Sequence, residues 1–281
     1  MTKNITIIEG NHEGLVERKG DEFKGAAEGF AACLTAFDPD LTFHFVRPHF
    51  RNHIFHDALL ANSDAIVFTG SANAWSADEP EAEPARQMMQ LALSSGKPVF
   101  GSCYGMQLAV AVLGGQNRSN PVATEFAIAR DITLTPEGRA HPLYNGKDAI
   151  FDARCMHRDE VAILPQDSIS LSGNAHSAHQ AMAYEAQGMR FWGVQYHPEL
   201  GFTDIAHYIE KNDVTSFSQA SRFAKELGID DDPEAIIADF KSYDTASGQA
   251  RAALIAKYKL SDGLSDDVKH QCELGNFISS L

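Results

Sequence analysis

The sequence predicts an α/β protein built on a doubly wound, mostly parallel sheet, followed by a helical C-terminal segment. Over roughly the first 115 residues, short apolar strands alternate with stretches of helical periodicity. These strands are almost continuously apolar, as in parallel sheets that helices cover on both faces. Beyond about residue 203 the strand pattern gives way to amphipathic helical stretches.

The elements follow in order along the chain. Strands are expected at 5–8, 41–46, 64–69 and 99–102, and helices at 22–37, 54–61, 81–95 and 104–113. Short strands are expected at 123–134, 149–155, 160–164, 168–172, 179–185 and 190–196, partly extending the sheet and partly forming an antiparallel flap. The last helices are expected at 214–227, 233–243, 246–259 and 264–280.

Composition excludes several classes of protein. A chain of 281 residues with 44% hydrophobic content can build one substantial core, or a core with a smaller appendage. A net charge of −15 argues against binding to a nucleic acid backbone. No apolar run predicts a membrane span, and the N-terminus lacks a secretory pattern, so a cytoplasmic location is expected. The four scattered cysteines include no C-x-x-C pair and predict no zinc ribbon.

Residues 101–105 (Gly-Ser-Cys-Tyr-Gly) stand where an apolar strand meets a helix. This is the G-x-nucleophile-x-G pattern of a sharp strand-to-helix turn, with cysteine as the nucleophile. The turn places Cys103 at a helix N-terminus, where the dipole favours thiolate over thiol. A buried structural cysteine is the competing interpretation, which the flanking glycines make the weaker one.

Residues 193–199 (Gly-Val-Gln-Tyr-His-Pro-Glu) supply the expected partners. His197 and Glu199 stand two residues apart, so an extended backbone would point both side chains the same way. A carboxylate there can orient the imidazole and stabilise its charged form. A surface carboxylate is the alternative for Glu199. A metal site is the weaker interpretation of this segment, because no H-x-H or H-E-x-x-H pattern accompanies it.

The two segments 101–107 (Gly-Ser-Cys-Tyr-Gly-Met-Gln) and 193–199 together resemble the class I, triad-type glutamine amidotransferases. Within that family the chain is most similar to stand-alone domains related to the glutaminase half of GMP synthase. Residues 70–80, 113–115 and 156–159 agree with the family as well. The resemblance covers roughly residues 1–205, which implies a flavodoxin-like amidotransferase domain there and a helical extension over 206–281.

The resemblance also implies roles for individual residues. Cys103, His197 and Glu199 would form the catalytic triad. The backbone amides of Gly70 and Tyr104 would form the oxyanion hole. Four residues would contact the substrate, namely Ser71, Gln107, Met156 and His157. The half-reaction, hydrolysis of the glutamine γ-amide through a thioester, requires no cofactor and no metal.

Two departures from the family pattern affect these expectations. The family usually has an aliphatic residue before the nucleophile, where this chain has Ser102, whose small size makes it tolerable. The oxyanion loop often reads Gly-Gly-Pro, whereas residues 70–72 here are Gly-Ser-Ala. This difference leaves open which amide is the second oxyanion donor.

Three functions remain open from the sequence. The chain could be a glutaminase, alone or serving a separate synthase subunit, because it contains no phosphate-binding loop of its own. It could instead be a γ-glutamyl peptidase-like hydrolase, or a non-catalytic interaction module. The substrate expected is glutamine or another γ-glutamyl compound. The C-terminal helices either pack on the main domain, which their apolar spacing favours, or offer a docking surface to a synthase subunit or to a second copy.

Overall fold

The computed structural model describes residues 2–18, 25–52, 60–211, 213–230 and 232–281. Within these residues, one mixed sheet contains nine strands in the order β2-β1-β3-β4-β11-β10-β9-β6-β7. The strands are β1 (Asn4–Ile8), β2 (Thr42–Val46), β3 (Ala65–Phe68), β4 (Pro98–Ser102), β5 (Gln116–Ser119), β6 (Glu125–Leu134), β7 (Ile150–His157), β8 (Asp159–Ile163), β9 (Ser168–Gly173), β10 (Ala181–Tyr184) and β11 (Arg190–Val194).

The sheet is parallel over its first five strands and antiparallel over the rest. Strands β2, β1, β3, β4 and β11 pair in parallel. Strands β10, β9, β6 and β7 continue the sheet with antiparallel pairing. Strands β5 and β8 form a separate two-stranded ribbon. The predicted doubly wound, mostly parallel sheet is confirmed, and the strands after residue 122 divide between the sheet and this ribbon.

The central strands are buried on both faces, which explains their continuous apolar sequence. All four residues of β3 are buried, and neighbours along the strand face opposite layers. Val67 belongs to a core with Phe100 and Phe277 on one face. Ile66 and Phe68 belong to a core with Met89 on the other. Helices cover both faces, and the strands' carboxyl ends meet at one edge.

The described helices are α1 (Glu13–Arg18), α2 (Ala26–Phe37), α3 (Glu83–Ser94), α4 (Tyr104–Val112), α5 (Pro136–Ala140), α6 (Phe202–Lys211), α7 (Asp213–Leu227), α8 (Pro233–Tyr243), α9 (Gly248–Tyr258), α10 (Asp262–Ser265), α11 (Asp267–His270) and α12 (Cys272–Ser279), with short 3₁₀ turns at Pro80–Ala82 and Pro142–Tyr144.

Several elements differ from the sequence prediction. Residues 22–24 of the expected first helix, and 54–59 of the expected short one, lie outside the described residues. Strand β5 was not predicted, because its sequence Gln-Asn-Arg-Ser is wholly polar. The single helix expected over 264–280 is wrong: the segment forms the end of α10, then α11 and α12. Asp266 separates α10 from α11, because its side chain accepts hydrogen bonds from the amides of Val268 and Lys269.

Helices α6 to α10 pack on the antiparallel half of the sheet, whereas α12 packs beneath β4 and β11. The core of α6 to α10 includes Phe223, Ile236 and Phe240, which lie in one cluster with Phe126 and Ile128 of β6. Phe217 and Leu227 pack against it while partly exposed. These contacts account for the apolar spacing of the helices. The domain boundary after residue 205 stays a prediction.

None of the helices in the described residues combines the length and the apolar character that crossing a bilayer requires.

Candidate active site

Cys103 occupies a sharp turn between β4 and α4. Its backbone is left-handed (φ 48°, ψ −106°), a costly conformation for a residue other than glycine. The glycines beside it permit this turn: a Cβ built on Gly101 would lie 2.6 Å from the carbonyl carbon of Gly105. The amide of Cys103 donates to the Val194 carbonyl (2.7 Å), which ties the turn to β11. The sequence pattern therefore does form an elbow.

His197 and Glu199 lie just beyond β11. Their side chains are hydrogen bonded, with 2.7 Å between Nδ1 of His197 and Oε1 of Glu199. Both residues are 7% exposed. The predicted extended backbone is not what aligns them, since β11 ends at Val194 and the chain then turns, with the Leu200 amide 3.4 Å from the His197 carbonyl.

Electrostatics favour a charged imidazole at His197. Burial lowers the pKa of this histidine, but the Glu199 carboxylate, the Cys103 side chain and hydrogen bonds to both outweigh burial and raise the pKa to about 10. The imidazolium therefore stands between a carboxylate and a thiol. The Ser102 hydroxyl donates to the same oxygen of Glu199 (3.3 Å). This contact gives Ser102, the residue before Cys103, a polar partner.

The loop after β3 is in contact with the imidazole. A Cβ built on Gly70 would lie 2.5 Å from Cε1 of His197 and 3.5 Å from Cβ of Cys103. The amide of Ala72 donates to Oδ1 of Asn11 (2.9 Å), and that of Asn73 donates to the Ser71 hydroxyl (3.0 Å). Because these two amides already have acceptors, the amides of Gly70 and Ser71 are the loop's candidates for an oxyanion donor, beside that of Tyr104 at the start of α4.

The segment after β1 holds this loop, and sequence reasoning missed it. Glu9 is fully buried; one carboxylate oxygen accepts from Asn11 (Nδ2, 2.7 Å) and the other from the Ala27 amide (2.8 Å). Burial raises the pKa of Glu9 although these hydrogen bonds act against it. Asn11 in turn orients the loop through Ala72. The signal available was the position of residues 9–11 directly after a strand at the active edge.

The predicted substrate residues lie on the other side of the thiol. The carbonyl of Met156 is 4.0 Å from Sγ of Cys103. The amide nitrogen of Gln107 donates to the Asp159 carbonyl (3.1 Å) and to Oε1 of Gln195 (3.2 Å), so a substrate contact would fall to its oxygen.

His157 is buried, and its side chain is occupied. One ring nitrogen lies 2.7 Å from Oε2 of Glu125, and the other 3.0 Å from the Asp159 carbonyl. Its share in substrate binding would therefore come through the backbone. The assignments of Ser71, Gln107, Met156 and His157 to the substrate stay predictions.

Residues far along the chain support the histidine from behind. The ring of His270, fully buried, lies with Nε2 3.1 Å from the His197 carbonyl. Because a carbonyl only accepts, Nε2 carries the hydrogen. Burial lowers the pKa of His270 well below its usual value, so the ring is neutral. Arg154 braces the same turn by donating to the Leu200 carbonyl (2.8 Å) and to Asp267 (2.6 Å).

Two cavities meet at this site. The thiol cavity, about 320 Å³, is lined by Cys103, Tyr104 and Gln107 among others. The imidazole cavity, about 310 Å³, is lined by His197 and Glu199 and runs between α2 and α6. Four residues border both cavities, namely Ser71, Ala72, Met156 and Tyr208. A bond held between the thiol and the imidazole would thus have space on each side.

Metal ligation finds no support in the part of the chain that the structure describes, where no group of three or more His, Cys, Asp or Glu side chains could hold an ion.

Comparison with known proteins identifies relatives in sequence. The family model "Glutamine amidotransferase class-I" matches residues 35–216. A γ-glutamyl-L-1-hydroxyisopropylamide hydrolase from a Pseudomonas species is 36% identical over 152 residues, 53% of this chain and 51% of that protein. A glutamine-hydrolysing GMP synthase from Aeromonas hydrophila is 39% identical over 118 residues, 39% of this chain and 22% of that protein. The chain thus spans about half, or less, of the length of these relatives.

Comparison of structures extends the likeness over nearly the whole chain. A glutamine amidotransferase from Thermotoga maritima superposes with a TM-score of 0.63 at 15% identity, covering 98% of this chain and 99% of that one. One from Methylobacillus flagellatus gives a TM-score of 0.60 at 18% identity, covering 100% of this chain and 96% of the other. At such identities the likeness shows the fold alone.

Proposed function

Because the chain belongs to the class I glutamine amidotransferases, we propose that it hydrolyses the γ-amide of a glutamyl substrate through a thioester on Cys103. The observation that carries the proposal is the position of His197, which is hydrogen bonded to Glu199 and interacts with the strained Cys103. A nucleophile, an acid/base and its orienting carboxylate in this order are the components of nucleophilic acyl transfer.

The steps follow from these groups. The Cys103 thiolate attacks the γ-carbonyl carbon, and backbone amides from the Gly70–Ser71 loop and Tyr104 donate hydrogen bonds to the oxyanion. The carbon–nitrogen bond breaks as the His197 imidazolium gives its proton to the departing nitrogen. Water then attacks the γ-glutamyl thioester with neutral His197 as base. This step releases glutamate and restores the thiolate–imidazolium pair.

Glutamine is the first substrate we propose, with ammonia as the product. We expect ammonia release from glutamine that disappears in Cys103→Ala, while Cys155→Ala keeps it, since Cys155 is a fully buried cysteine of β7. Glutamine turnover that survives in Cys103→Ala would refute the proposed nucleophile. The ammonia could pass to a separate synthase subunit. That partner, a homo-oligomeric state and a cytoplasmic location stay predictions.

A second candidate is hydrolysis of a substituted γ-glutamyl amide. It is favoured by the identity to the Pseudomonas hydrolase, which reaches 36% over 152 residues. It is also favoured by the imidazole cavity, which leaves room beyond the scissile nitrogen. The experiment is a comparison of kcat/KM for glutamine, γ-glutamyl alkylamides and γ-glutamyl peptides. A clear preference for glutamine over every substituted amide would remove this candidate.

A non-catalytic module is the remaining alternative, and it is testable by chemistry at the thiol. A glutamine-like chloroketone or diazoketone should alkylate Cys103 of the full chain rapidly, and mass spectrometry of the digested protein would locate the adduct. Absence of alkylation at Cys103 in the folded protein would support a binding role for the fold.

A further inference from the structure

The nucleophile and the acid border different cavities. The sulfur of Cys103 faces the thiol cavity and the His197 ring borders the imidazole cavity, with Met156 and Ala72 in the wall that they share. In the proposed reaction the acyl group bonds to sulfur while the nitrogen takes its proton from His197. The acyl half of a substrate therefore belongs in the thiol cavity, and anything attached to the nitrogen belongs in the imidazole cavity.

We propose that the imidazole cavity binds the amine portion of a γ-glutamyl amide, and that it selects a small amine without a carboxylate. This inference rests on the proposed function and names its substrate class. The imidazole cavity has a volume of about 310 Å³, at the lower end of the roughly 300–1,000 Å³ that small-molecule sites span. In the reaction the nitrogen leaves as a free amine, R–NH₂, after accepting the proton of His197.

Small side chains on α2 create the space. Gly29 and Ala32 face the cavity from α2, and Thr203 and His207 face it from α6. A Cβ built on Gly29 would meet no heavy atom within 4 Å, so the room beside this helix is open. An alkyl group of a few carbons can fill it against Ala26, Leu200 and the α2 backbone.

The charges of the cavity oppose an acidic amine. Glu28, Glu199 and Asp204 line it, and no lysine or arginine is among the described residues of its wall. Glu28 is paired with Arg47, and Glu199 with His197. The Asp204 carboxylate accepts a hydrogen bond from the Gly201 amide (2.7 Å). The Thr203 hydroxyl donates to the carboxylate of Asp244 (2.6 Å). The His197 imidazolium in the same wall is held by Glu199 and gives its proton to the departing nitrogen, so the carboxylate of an amino acid leaving group would face the acidic side chains without a lysine or arginine among the described lining residues.

Two wall residues carry an unused acceptor. The Oε2 atoms of Glu28 and Glu199 are buried without a hydrogen-bond partner among the described residues, and the Glu199 side chain is 4% exposed. An unsatisfied buried carboxylate oxygen is costly, so a ligand that brings a donor is favoured. A hydroxyl on the amine portion is such a donor. The preferred class is therefore a short alkylamine or amino alcohol joined to the γ-carboxyl of glutamate.

The first test fills the cavity. The full chain is assayed with L-glutamine, γ-glutamylethylamide and γ-glutamylalanine, and Gly29→Leu is compared with wild type. We expect Gly29→Leu to lower the ratio of kcat/KM for the ethylamide over glutamine by about tenfold or more, because the side chain occupies the alkyl space. Gly263→Leu is the matched control, since Gly263 is also open within 4 Å but lies on α10. It should leave the ratio unchanged.

The second test changes the charge. Asp204→Asn keeps an acceptor for the Gly201 amide and removes one negative charge. We expect it to raise the kcat/KM of γ-glutamylalanine relative to the ethylamide by about threefold to tenfold. If Gly29→Leu fails to fold, the Asp204→Asn comparison tests the amine site on its own.

The outcomes separate the two proposals. Absence of turnover for glutamine and for both amides would overturn the proposed function. Glutamine turnover with an inert ethylamide would overturn only the amine site. The amine site would also be overturned if a folded Gly29→Leu left the ratio of kcat/KM for the ethylamide over glutamine unchanged. The same holds if the wild type turned over γ-glutamylalanine better than the ethylamide.

Discussion

Gly70 is the position where one methyl group should disable the proposed chemistry. A Cβ built there would lie 2.5 Å from Cε1 of His197, against about 3.5–4.0 Å for a normal carbon contact. The imidazole or the loop must therefore move by roughly 1 Å. The ring is held by Glu199 at 2.7 Å, so movement breaks the alignment with Cys103. Misplacement of this size costs on the order of 10²-fold in rate, about 2.7 kcal/mol of activation free energy.

The assay is glutamine turnover by Gly70→Ala, with thermal unfolding of the same preparation. We expect kcat to fall by about 10²-fold, with a much smaller change in KM, because the substitution displaces the acid/base rather than the acyl site. Gly263→Ala is the control, because its Cβ would meet no heavy atom within 4 Å.

The rate at which a diazoketone labels Cys103 is a second measurement on the same variant. Alkylation of Cys103 should also slow in Gly70→Ala, because the imidazole that favours its thiolate has moved. A folded Gly70→Ala that turns over glutamine within about twofold of wild type would refute the reasoning. It would mean that the loop relaxes without disturbing the histidine.

The remaining predictions concern charge, support and packing. Glu199→Gln removes the carboxylate that raises the pKa of His197 to about 10, so the basic limb of the kcat/KM profile should move to lower pH; an unmoved limb would contradict this. His270→Ala should lower kcat about tenfold by removing the shorter of the two hydrogen bonds to the His197 carbonyl, and His270→Gln should restore part of the rate. The pKa of His270 is lowered in the folded state, so its neutral burial weakens stability as pH falls below about 6.5; His270→Gln should flatten the acid side of the Tm profile, and an unchanged slope would count against it. Phe240→Ala should lower the free energy of unfolding by about 3–5 kcal/mol, measured by urea unfolding. The Phe240 residue is 2% exposed, and its ring centroid lies 4.9 Å from that of Phe202 and 5.0 Å from that of Tyr258. Val268→Ala, at a residue that is 71% exposed, is the control and should change the free energy of unfolding little.

Local patterns predicted the parts of the fold whose causes are local. The apolar run of β3 and the elbow at Cys103 are written within a few residues, and the structure forms both. The 264–280 helix was wrong because one side chain, Asp266, caps a new turn inside an otherwise helical pattern. Strand β5 was not predicted because its own sequence does not indicate a strand; it becomes one by pairing with β8.

The site shows the same division between local and distant causes. His197 and Glu199 were identified from one short segment, but the turn that aligns them follows from contacts beyond it. His270 is 73 residues from His197 and is hydrogen bonded to its backbone carbonyl, so no spacing rule could indicate it. Asn11, which donates to Glu9, binds the Gly70 loop across 61 residues through the backbone amide of Ala72. Such contacts depend on tertiary placement and leave no periodic trace in a sequence.

The C-terminal segment takes part in the site from two directions. Behind the histidine, Tyr196 donates to Glu273 (2.5 Å), and Glu273 is paired with the buried Lys147. In front, α6 supplies the wall of the imidazole cavity through Asp204 and His207. Breaking a buried ion pair such as Lys147–Glu273 costs about 3–5 kcal/mol, so the rear support is a strong attachment.

The last helix, α12, also packs directly beneath two central strands of the sheet. Phe277 packs with Phe100 of β4 (ring centroids 5.4 Å apart) and with Trp192 of β11 (6.0 Å), the two strands that lead to Cys103 and His197. The core beneath these two strands is therefore shared with the last helix. A substitution in α12 would loosen both strands at their base, and the geometry at their carboxyl ends would follow. The helical extension is, in physical terms, part of the scaffold that sets the distance between thiol and imidazole.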